Sequence, residues 1–131
     1  MIQIGGKKMA KKILIVDDEE IIREAVKLCL QDQGYELFEA ENGNEGLRQT
    51  REHKPDLVIL DLMMPDKWGY SVCEELKQDP DTKDTRVLFL TARRSAPSQR
   101  LGEIRGGDDY IIKPFTPNEL REKVKKLLGL E

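Results

Sequence analysis

Four short apolar runs in this sequence each lead directly into a residue that can do chemistry. The runs cover 13–16, 57–60, 87–90 and 110–112, and the residues that follow them are Asp17, Asp18, Asp61, Thr91 and Lys113. An unbroken apolar run of this length is typical of a parallel strand that is buried on both faces. Ligands of open α/β sheets bind at the carboxyl ends of such strands. Neighbouring strands lie about 4.8 Å apart, so we expect the five residues to converge at one edge of a sheet.

The three carboxylates in this set indicate a cation site. Two carboxylates about 4 Å apart repel each other by roughly 4 kcal/mol at an effective dielectric constant of about 20, and a divalent cation removes that cost. Oxygen ligands without histidine or cysteine favour a hard ion, and an incomplete cage favours Mg²⁺ over a dedicated calcium site. Beside such an ion, Asp61 is a candidate nucleophile toward phosphorus. Lys113 would supply a positive charge and Thr91 a hydroxyl donor to the same phosphoryl oxygens.

Each of these residues also has a purely structural explanation. Asp17 and Asp18 could cap the helix that follows them. Asp61 could be a loop acid, Lys113 a solvated lysine and Thr91 a hydroxyl at a strand end. All of these explanations would have to hold at once for the site to be absent, so we favour the chemical interpretation.

The rest of the chain supplies five strands that alternate with five helices. The predicted strands cover about 12–16, 35–39, 57–60, 87–90 and 110–112. The predicted helices are a first one that Gly34 ends, a second from 43 to about 52, a third that stops at 79–80, a fourth over 96–105 and a fifth over 117–128. Short connections between them indicate a single α/β domain with a doubly wound parallel sheet. Right-handed crossovers place helices on both faces of that sheet.

Three signals set the predicted helix boundaries. Gly34 follows the apolar stripe of the first helix and is expected to be its C-cap. Thr116, Pro117 and Glu119 start the last helix, with the threonine as N-cap, the proline in the first position and the glutamate completing a capping box. Gly102 lies inside the predicted helix over 96–105 and costs about 1 kcal/mol relative to alanine. We therefore expect that helix to be the least stable of the five.

Length and composition indicate one soluble domain. The chain has 131 residues, of which 22 are basic and 25 acidic, so it lacks the basic excess of a nucleic-acid-binding domain. Cys29 and Cys73 form no metal-binding pattern and are expected to be free thiols in a reducing cytoplasm. No apolar run approaches the roughly 18 residues of a membrane span, and the first residues lack a signal peptide. We expect a cytoplasmic protein with no direct contact to nucleic acid or membrane.

His53 and the first ten residues are not expected to contribute to the site. His53 is the only histidine; it lies in a connection before Lys54-Pro55 and is expected to face solvent. Residues 1–10 join no periodic pattern, and we interpret them as a leader, disordered or added in cloning, that lies outside the fold. Neither GxxxxGK[ST] nor GxGxxG follows a predicted strand, so the sequence offers no nucleotide-binding loop.

The residues around the predicted site resemble the receiver domain of two-component response regulators. The resemblance rests on Ile15-Val16-Asp17-Asp18-Glu19, Asp61-Leu62-Met63-Met64-Pro65-Asp66 with Gly69-Tyr70, Leu90-Thr91-Ala92, and Gly107-Asp108-Asp109-Tyr110 followed by Lys113-Pro114-Phe115. It extends over about 11–128 without gaps, and we assign 11–129 to one receiver domain. The resemblance implies a flavodoxin-like, CheY-like (βα)5 fold with strand order 2-1-3-4-5.

The resemblance also assigns roles to the residues of the site. It implies that Asp61 accepts a phosphoryl group. Asp17 and Asp18 would bind Mg²⁺ together with Asp61 and the backbone carbonyl of Met63. Lys113 would pair with the phosphoryl group once it is attached.

Three further residues are implied to aim the lysine and to transmit the signal. The peptide bond between Lys113 and Pro114 is cis in the family, a fixed turn that directs the lysine. Thr91 and Tyr110 resemble the switch pair. When the Thr91 hydroxyl moves to the phosphoryl oxygen, the Tyr110 ring would turn inward and reshape the face made by the predicted helix over 96–105, the last strand and the last helix.

These roles imply a phosphorylatable signalling domain and not an enzyme with a separate substrate. A sensor histidine kinase or a phosphotransfer protein would donate the phosphoryl group, and the domain would assist its own phosphorylation and dephosphorylation. The altered face would then control a downstream protein, or an output domain that is separate or has been removed. A dimer formed on phosphorylation is one form that this control could take.

Two other functions fit part of the pattern. A phosphatase or mutase of the haloacid-dehalogenase type also uses a strand-end aspartate with Mg²⁺, but it expects a second aspartate two residues later, where this chain has Met63. The other alternative is a binding module whose acidic pocket is never phosphorylated, and phosphodonor labelling would distinguish it. The sequence also departs from the family at Lys67-Trp68, which replace an apolar residue and an acid, so the loop beside Asp61 differs.

Overall fold

The computed structural model of the protein describes residues 10–92 and 107–130. Its strands are β1 (Lys12–Val16), β2 (Glu36–Ala40), β3 (Leu57–Asp61), β4 (Arg86–Ala92) and β5 (Asp109–Lys113). They form one parallel sheet in the order β2-β1-β3-β4-β5. This is the doubly wound five-stranded sheet that the sequence predicts, with β2 at one edge and β3 in the centre.

Four helices accompany the sheet in the described part of the chain. They are α1 (Glu20–Leu30), α2 (Gly43–His53), α3 (Gly69–Gln78) and α4 (Pro117–Leu127). The predicted helix over 96–105, with Gly102, lies outside the described residues, and so do residues 1–9 of the predicted leader. None of the four helices combines the length and the hydrophobicity that spanning a bilayer requires.

The core lies in two layers because successive residues of each strand point to opposite faces of the sheet. One layer joins α2 and α3 to the sheet through Leu14, Val16, Leu47, Val58, Leu60, Val72 and Leu76. The other joins α1 and α4 to it through Ile13, Ile15, Val26, Leu30, Ile59, Leu120 and Val124. All five residues of β3 are buried, so the apolar run that ends at Asp61 is covered on both faces. Cys29 and Cys73 are both buried.

The C-terminus of α1 differs from the prediction. The helix ends at Leu30, and Gln31 already has an extended backbone with ψ of 155°. Residues 31–33 are polar, so another helical turn would bury no apolar surface. Asp32 and Gly34 both adopt left-handed conformations, with φ of 64° and 84°. Gly34 therefore shapes the turn that leads into β2 and does not cap the helix directly.

His53 is less exposed than the sequence suggested. Its ring stacks on Phe38 with a distance of 4.1 Å between ring centroids and an interplanar angle of 16°. Phe38 belongs to the edge strand β2, which has a neighbouring strand on one side only. The imidazole covers part of the aromatic surface that this edge leaves open, and the expectation of a solvent-facing side chain was wrong.

The start of α4 follows the prediction and yields a stability test. Thr116 Oγ1 accepts a hydrogen bond from Glu119 N at 3.1 Å, and Glu119 Oε1 accepts one from Thr116 N at 2.8 Å. Because Thr116→Ala removes the cap, it should lower the free energy of unfolding by about 1 kcal/mol, measured by urea denaturation. Asn118→Ala in the same turn is the control. Equal stability of the two variants would mean that the capping box contributes nothing.

Candidate functional site

The register of the sheet brings the ends of four strands together at its carboxyl edge. The neighbouring pairs at this edge are Val16 with Leu60, Asp61 with Leu90, and Ala92 with Lys113. Asp17 directly follows Val16, and Thr91 lies one residue beyond the partner of Asp61. The residues that the sequence singled out are therefore grouped at one edge, because parallel strands in register end at the same level.

Three carboxylates form an acidic cluster at this edge, made of Asp17, Asp18 and Asp61. Each can offer one oxygen, and these oxygens all lie within 4.8 Å of one another. Asp17 is completely buried and Asp61 is 5% exposed, whereas Asp18 is open to solvent. The cluster thus has a buried floor and a solvent-facing side from which a small ion or a phosphoryl donor can enter.

Lys113 links the two buried acids of the cluster. Its Nζ atom lies 3.4 Å from Asp17 Oδ2 and 3.4 Å from Asp61 Oδ1. Burial lowers the pKa of Lys113, but the charges of Asp61 and Asp17 outweigh this and the pKa lies above its usual value. The ammonium group is therefore charged at neutral pH. The peptide bond between Lys113 and Pro114 is cis.

Backbone contacts fix Asp17 at the end of β1. Asp17 Oδ1 accepts a hydrogen bond from Glu19 N at 2.9 Å, and its carbonyl oxygen accepts one from Arg23 Nη1 at 2.8 Å. Arg23 also contacts Glu39 on the neighbouring strand, with 2.9 Å between Nε and Oε1. The first turn of α1 thus orients the acid that precedes it.

Burial makes the ionised form of the cluster unfavourable. It raises the pKa of Asp61 to about 6, helped by the charge of Asp17 and opposed by Lys113 and by the backbone N–H of Met63. Burial also raises the pKa of Asp17, although Glu19 N and Lys113 act against it. One ammonium group does not neutralise three carboxylates. A hard divalent cation fits this donor set, because all three side chains offer oxygen and one side of the cluster is open to water ligands.

The two switch candidates lie beside the cluster and toward β5. Thr91 is buried, and its hydroxyl donates a long hydrogen bond of 3.3 Å to the carbonyl oxygen of Ala92. Tyr110 is half-buried against the core layer that contains α2 and α3, and Lys123 Nζ lies 5.8 Å from the centre of its ring. Met63 is 57% exposed, and its backbone N–H bonds to the Asp61 carboxylate.

Comparison with known proteins decides the family. A family model described as "Response regulator receiver domain" matches residues 13–125. The chain belongs to the response regulator receiver domains. A crystal structure of a response regulator from Chloroflexus aurantiacus is similar to this receiver domain with a TM-score of 0.88 and 37% identity, covering 92% of this chain and 99% of that one. The fold and the family that the sequence indicated are confirmed.

Curated relatives of the receiver domain are about twice as long. The phosphate regulon transcriptional regulatory protein PhoB of Pseudomonas aeruginosa is 42% identical over 120 residues, which cover 92% of this chain and 52% of that protein. A probable transcriptional regulator, ycf27, of Pyropia yezoensis is 42% identical over 118 residues, or 90% of this chain and 47% of its own length. The receiver domain is a signalling domain of two-component response regulators, and it spans about half the length of these relatives.

Sequence reasoning gave no role to three residues that shape the site of this receiver domain. Gly69 lies against the backbone of Asp61, Asp66 binds the start of α2, and Arg23 holds the Asp17 carbonyl. Gly69 and Asp66 belong to the segments on which the resemblance rests, and this was the signal from which a role for both could have been inferred. Arg23 gave none, because no sequence pattern relates it to Asp17 or to Glu39 on the neighbouring strand.

Proposed function

We propose that this receiver domain is a phosphoacceptor switch in which Asp61 takes a phosphoryl group from a sensor histidine kinase or a phosphotransfer protein. The observation that carries the proposal is the position of Asp61. It ends the central strand, nearly buried, within reach of Asp17 and Asp18 and 3.4 Å from the ammonium group of Lys113. A nucleophile, a cation site and a fixed positive charge thus meet at one carboxylate.

The reaction is a displacement at phosphorus. A carboxylate oxygen of Asp61 forms a bond to phosphorus while the bond from phosphorus to the donor's nitrogen or oxygen breaks, and the donor leaves with that electron pair. The product is a mixed anhydride of Asp61. With a pKa of about 6, the carboxyl group is mostly ionised at neutral pH and is ready to attack.

Asp17, Asp18, Asp61 and the carbonyl of Met63 would hold Mg²⁺, which when bound supplies positive charge to the phosphoryl oxygens. Lys113 is already placed between two carboxylates, and it would transfer its contact from the Asp61 carboxylate to the new phosphoryl group. Asp18 faces solvent and would guide the cation in. The buried Asp17 would keep its orientation through Glu19.

The signal would leave the site through Thr91 and Tyr110. The hydrogen bond from the Thr91 hydroxyl to Ala92 O is long, at 3.3 Å, so a phosphoryl oxygen could attract the hydroxyl away from it. Tyr110 could then turn toward the vacated space and change the face formed by β5, α4 and the residues predicted as a helix over 96–105. A coupling of about 1 to 3 kcal/mol is sufficient for such a switch.

The partners follow from the family and from the relatives. The relatives are named as transcriptional regulators, and we propose that this domain likewise controls a downstream protein or an output domain. We expect the control to run through protein contacts and not through direct binding of nucleic acid by this domain, and phosphorylation could act by producing a dimer.

Phosphodonor labelling tests the proposal. Intact mass is measured after incubation with a small acyl phosphate, with and without Mg²⁺, for the native protein and for Asp61→Asn. We expect one added phosphoryl group that requires Mg²⁺ and is absent from the variant, because an amide oxygen is not a competent nucleophile here. Asp84→Asn, an exposed acid far along the sequence, is the control and should be labelled normally.

The remaining outcomes each contradict part of the proposal. An adduct that persists in Asp61→Asn would place the acceptor on another residue. No adduct in either protein would favour the alternative of an acidic binding module that is never phosphorylated.

A further inference from the structure

The N-terminus of α2 is bound by an acid from the loop that follows Asp61. Asp66 Oδ1 accepts a hydrogen bond from Gly43 N, and Asp66 Oδ2 accepts one from Asn44 N, both at 2.9 Å. Backbone N–H groups in the first turn of a helix have no partner within the helix. One carboxylate from a different segment of the chain therefore satisfies two of them at once.

A second cap completes the same helix end and comes from Asn42, the residue directly before α2. Asn42 Oδ1 accepts a hydrogen bond from Glu45 N at 2.8 Å, and the Asn42 carbonyl accepts one from Gly46 N at 2.9 Å. Asn42 alone would leave two N–H groups without an acceptor. The helix end thus carries one cap that is local and one, Asp66, that ties it to the phosphoacceptor loop.

Direct packing accompanies these hydrogen bonds. A Cβ atom placed on Gly43 would lie 2.9 Å from Lys67 Cβ and 3.1 Å from Val72 Cγ2. The absence of a side chain at Gly43 is what lets the loop reach the helix end. The contact is therefore built from both sides, by a glycine on α2 and by an acid on the loop.

The other attachments of this loop lie at its two ends. Leu62 N donates to Leu90 O at 3.2 Å, and Gly69 N donates to Leu62 O at 2.9 Å. Met64 is buried in the core. Beyond Met64, the loop is held by Asp66 and by an ion pair between Lys67 and Glu75 on α3. Within 10–92 and 107–130, the hydrogen bonds of Asp66 to Gly43 N and Asn44 N join the middle of this loop to α2.

We propose that Asp66 is a positioning residue that fastens the loop carrying the Met63 carbonyl to the N-terminus of α2 and thereby sets the affinity of the acidic cluster for Mg²⁺. The inference rests on the proposed function, because it concerns the same cation. A carbonyl in a mobile loop must be ordered when the cation binds, and this ordering weakens binding. A loop that is already fastened avoids that loss.

Calorimetric titration with MgCl₂ tests the inference on the native protein, Asp66→Ala, Asp66→Asn and Asn42→Ala. We expect Asp66→Ala to weaken Mg²⁺ binding at least fivefold. Asp66→Asn retains one acceptor oxygen and should fall between this variant and the native protein. Asn42→Ala removes a cap from the same helix end without touching the loop, so its Mg²⁺ affinity should stay within twofold of native.

Hydrogen exchange at the Gly43 and Asn44 amides provides a second readout. Mg²⁺ should slow exchange there in the native protein, because binding and the Asp66 contact stabilise the same loop position. In Asp66→Ala the amides should no longer respond to Mg²⁺. A merely structural cap would change the exchange rates but not their dependence on the cation.

The outcomes separate this inference from the proposed function. If the native protein takes up no Mg²⁺, the proposed function fails. If it binds Mg²⁺ and Asp66→Ala binds equally well, or if Asn42→Ala loses as much affinity as Asp66→Ala, only the positioning role is overturned. If Asp66→Ala does not fold, Asp66→Asn provides the test. The positioning role is overturned if Asp66→Asn binds Mg²⁺ with native affinity and if Mg²⁺ slows exchange at its Gly43 and Asn44 amides as in the native protein.

Discussion

Asp61→Asn is expected to make the domain more stable at pH 7 in the absence of divalent cations. The folded protein holds Asp61 with a pKa of about 6, against a usual value of 3.8. The difference between these pKa values corresponds to about 3 kcal/mol. Asparagine carries no charge to bury, although Lys113 then retains only Asp17 as a partner. We therefore expect a net gain of about 1 to 3 kcal/mol.

The pH dependence of this gain has a definite sign. Between pH 4 and 6 the unfolded chain has already released the Asp61 proton while the folded chain still holds it. Titration of Asp61 therefore lowers the free energy of unfolding of the native protein as pH rises through this window. Asp61→Asn lacks this carboxyl group and does not show that decrease. The advantage of the variant should be largest at pH 7 and should disappear near pH 4.

Urea denaturation at several pH values in EDTA measures this effect, with Asp84→Asn as the control. Mg²⁺ at ten times its dissociation constant should stabilise the native protein by about 1.4 kcal/mol, and the variant much less. The prediction would be contradicted by a variant that is less stable than the native protein at pH 7 without cations. In that case the interaction of Asp61 with Lys113 would stabilise the fold by more than the burial of the Asp61 charge destabilises it.

Gly69→Ala is expected to damage both the fold and the site. A Cβ atom at this position would lie 2.4 Å from the carbonyl oxygen of Asp61 and 2.8 Å from Leu62 Cα. These are backbone atoms, which cannot rotate away as a side chain can. Overpacking of this kind costs about 1 to 3 kcal/mol and sometimes more, and we expect the upper end of that range. Any relaxation must also displace Asp61.

Gly46→Ala is the matched control for Gly69→Ala. The nearest atoms to its new methyl group would be the two Val16 methyl groups, at 3.0 and 3.1 Å, and these belong to a side chain that can shift. Alanine within α2 also gains about 1 kcal/mol of helix propensity, so the net change should be small. The measurements are urea denaturation and Mg²⁺-dependent labelling by the acyl phosphate. Normal labelling and stability in Gly69→Ala would mean that the loop yields without moving the acceptor.

The apolar runs were enough to predict the sheet, because strands covered on both faces need side chains such as Leu57 to Leu60 with no polar interruption. The strand order was not in the pattern and came from the resemblance. The predicted end of α1 was wrong because a glycine indicates that a helix stops nearby but not at which residue. The polar residues 31–33 already form the turn before Gly34. The acids were predictable because each lies at the end of an apolar run or within two residues of it.

Contacts between distant segments of the chain could not be predicted from the sequence. Asp66 and Gly43 are adjacent in space only because α2 begins at the edge of the sheet where the β3–α3 loop lies. The stacking of His53 on Phe38 likewise depends on the end of α2 passing over an edge strand. Neither residue type nor spacing encodes such a meeting. A single sequence shows which groups are available and leaves their distant partners unspecified.

The two-layered core has a consequence for how such a domain can change over generations. The two layers are built from apolar and aromatic side chains, whereas the cluster acids, Thr91 and Lys113 are polar groups at the carboxyl edge of the sheet. A descendant that no longer receives a signal from a sensor could replace these residues and keep its fold. The expected behaviour of Asp61→Asn indicates that its free energy of unfolding would then increase. Selection for signalling must therefore maintain the carboxylates against the direction in which selection for a robust fold would move them.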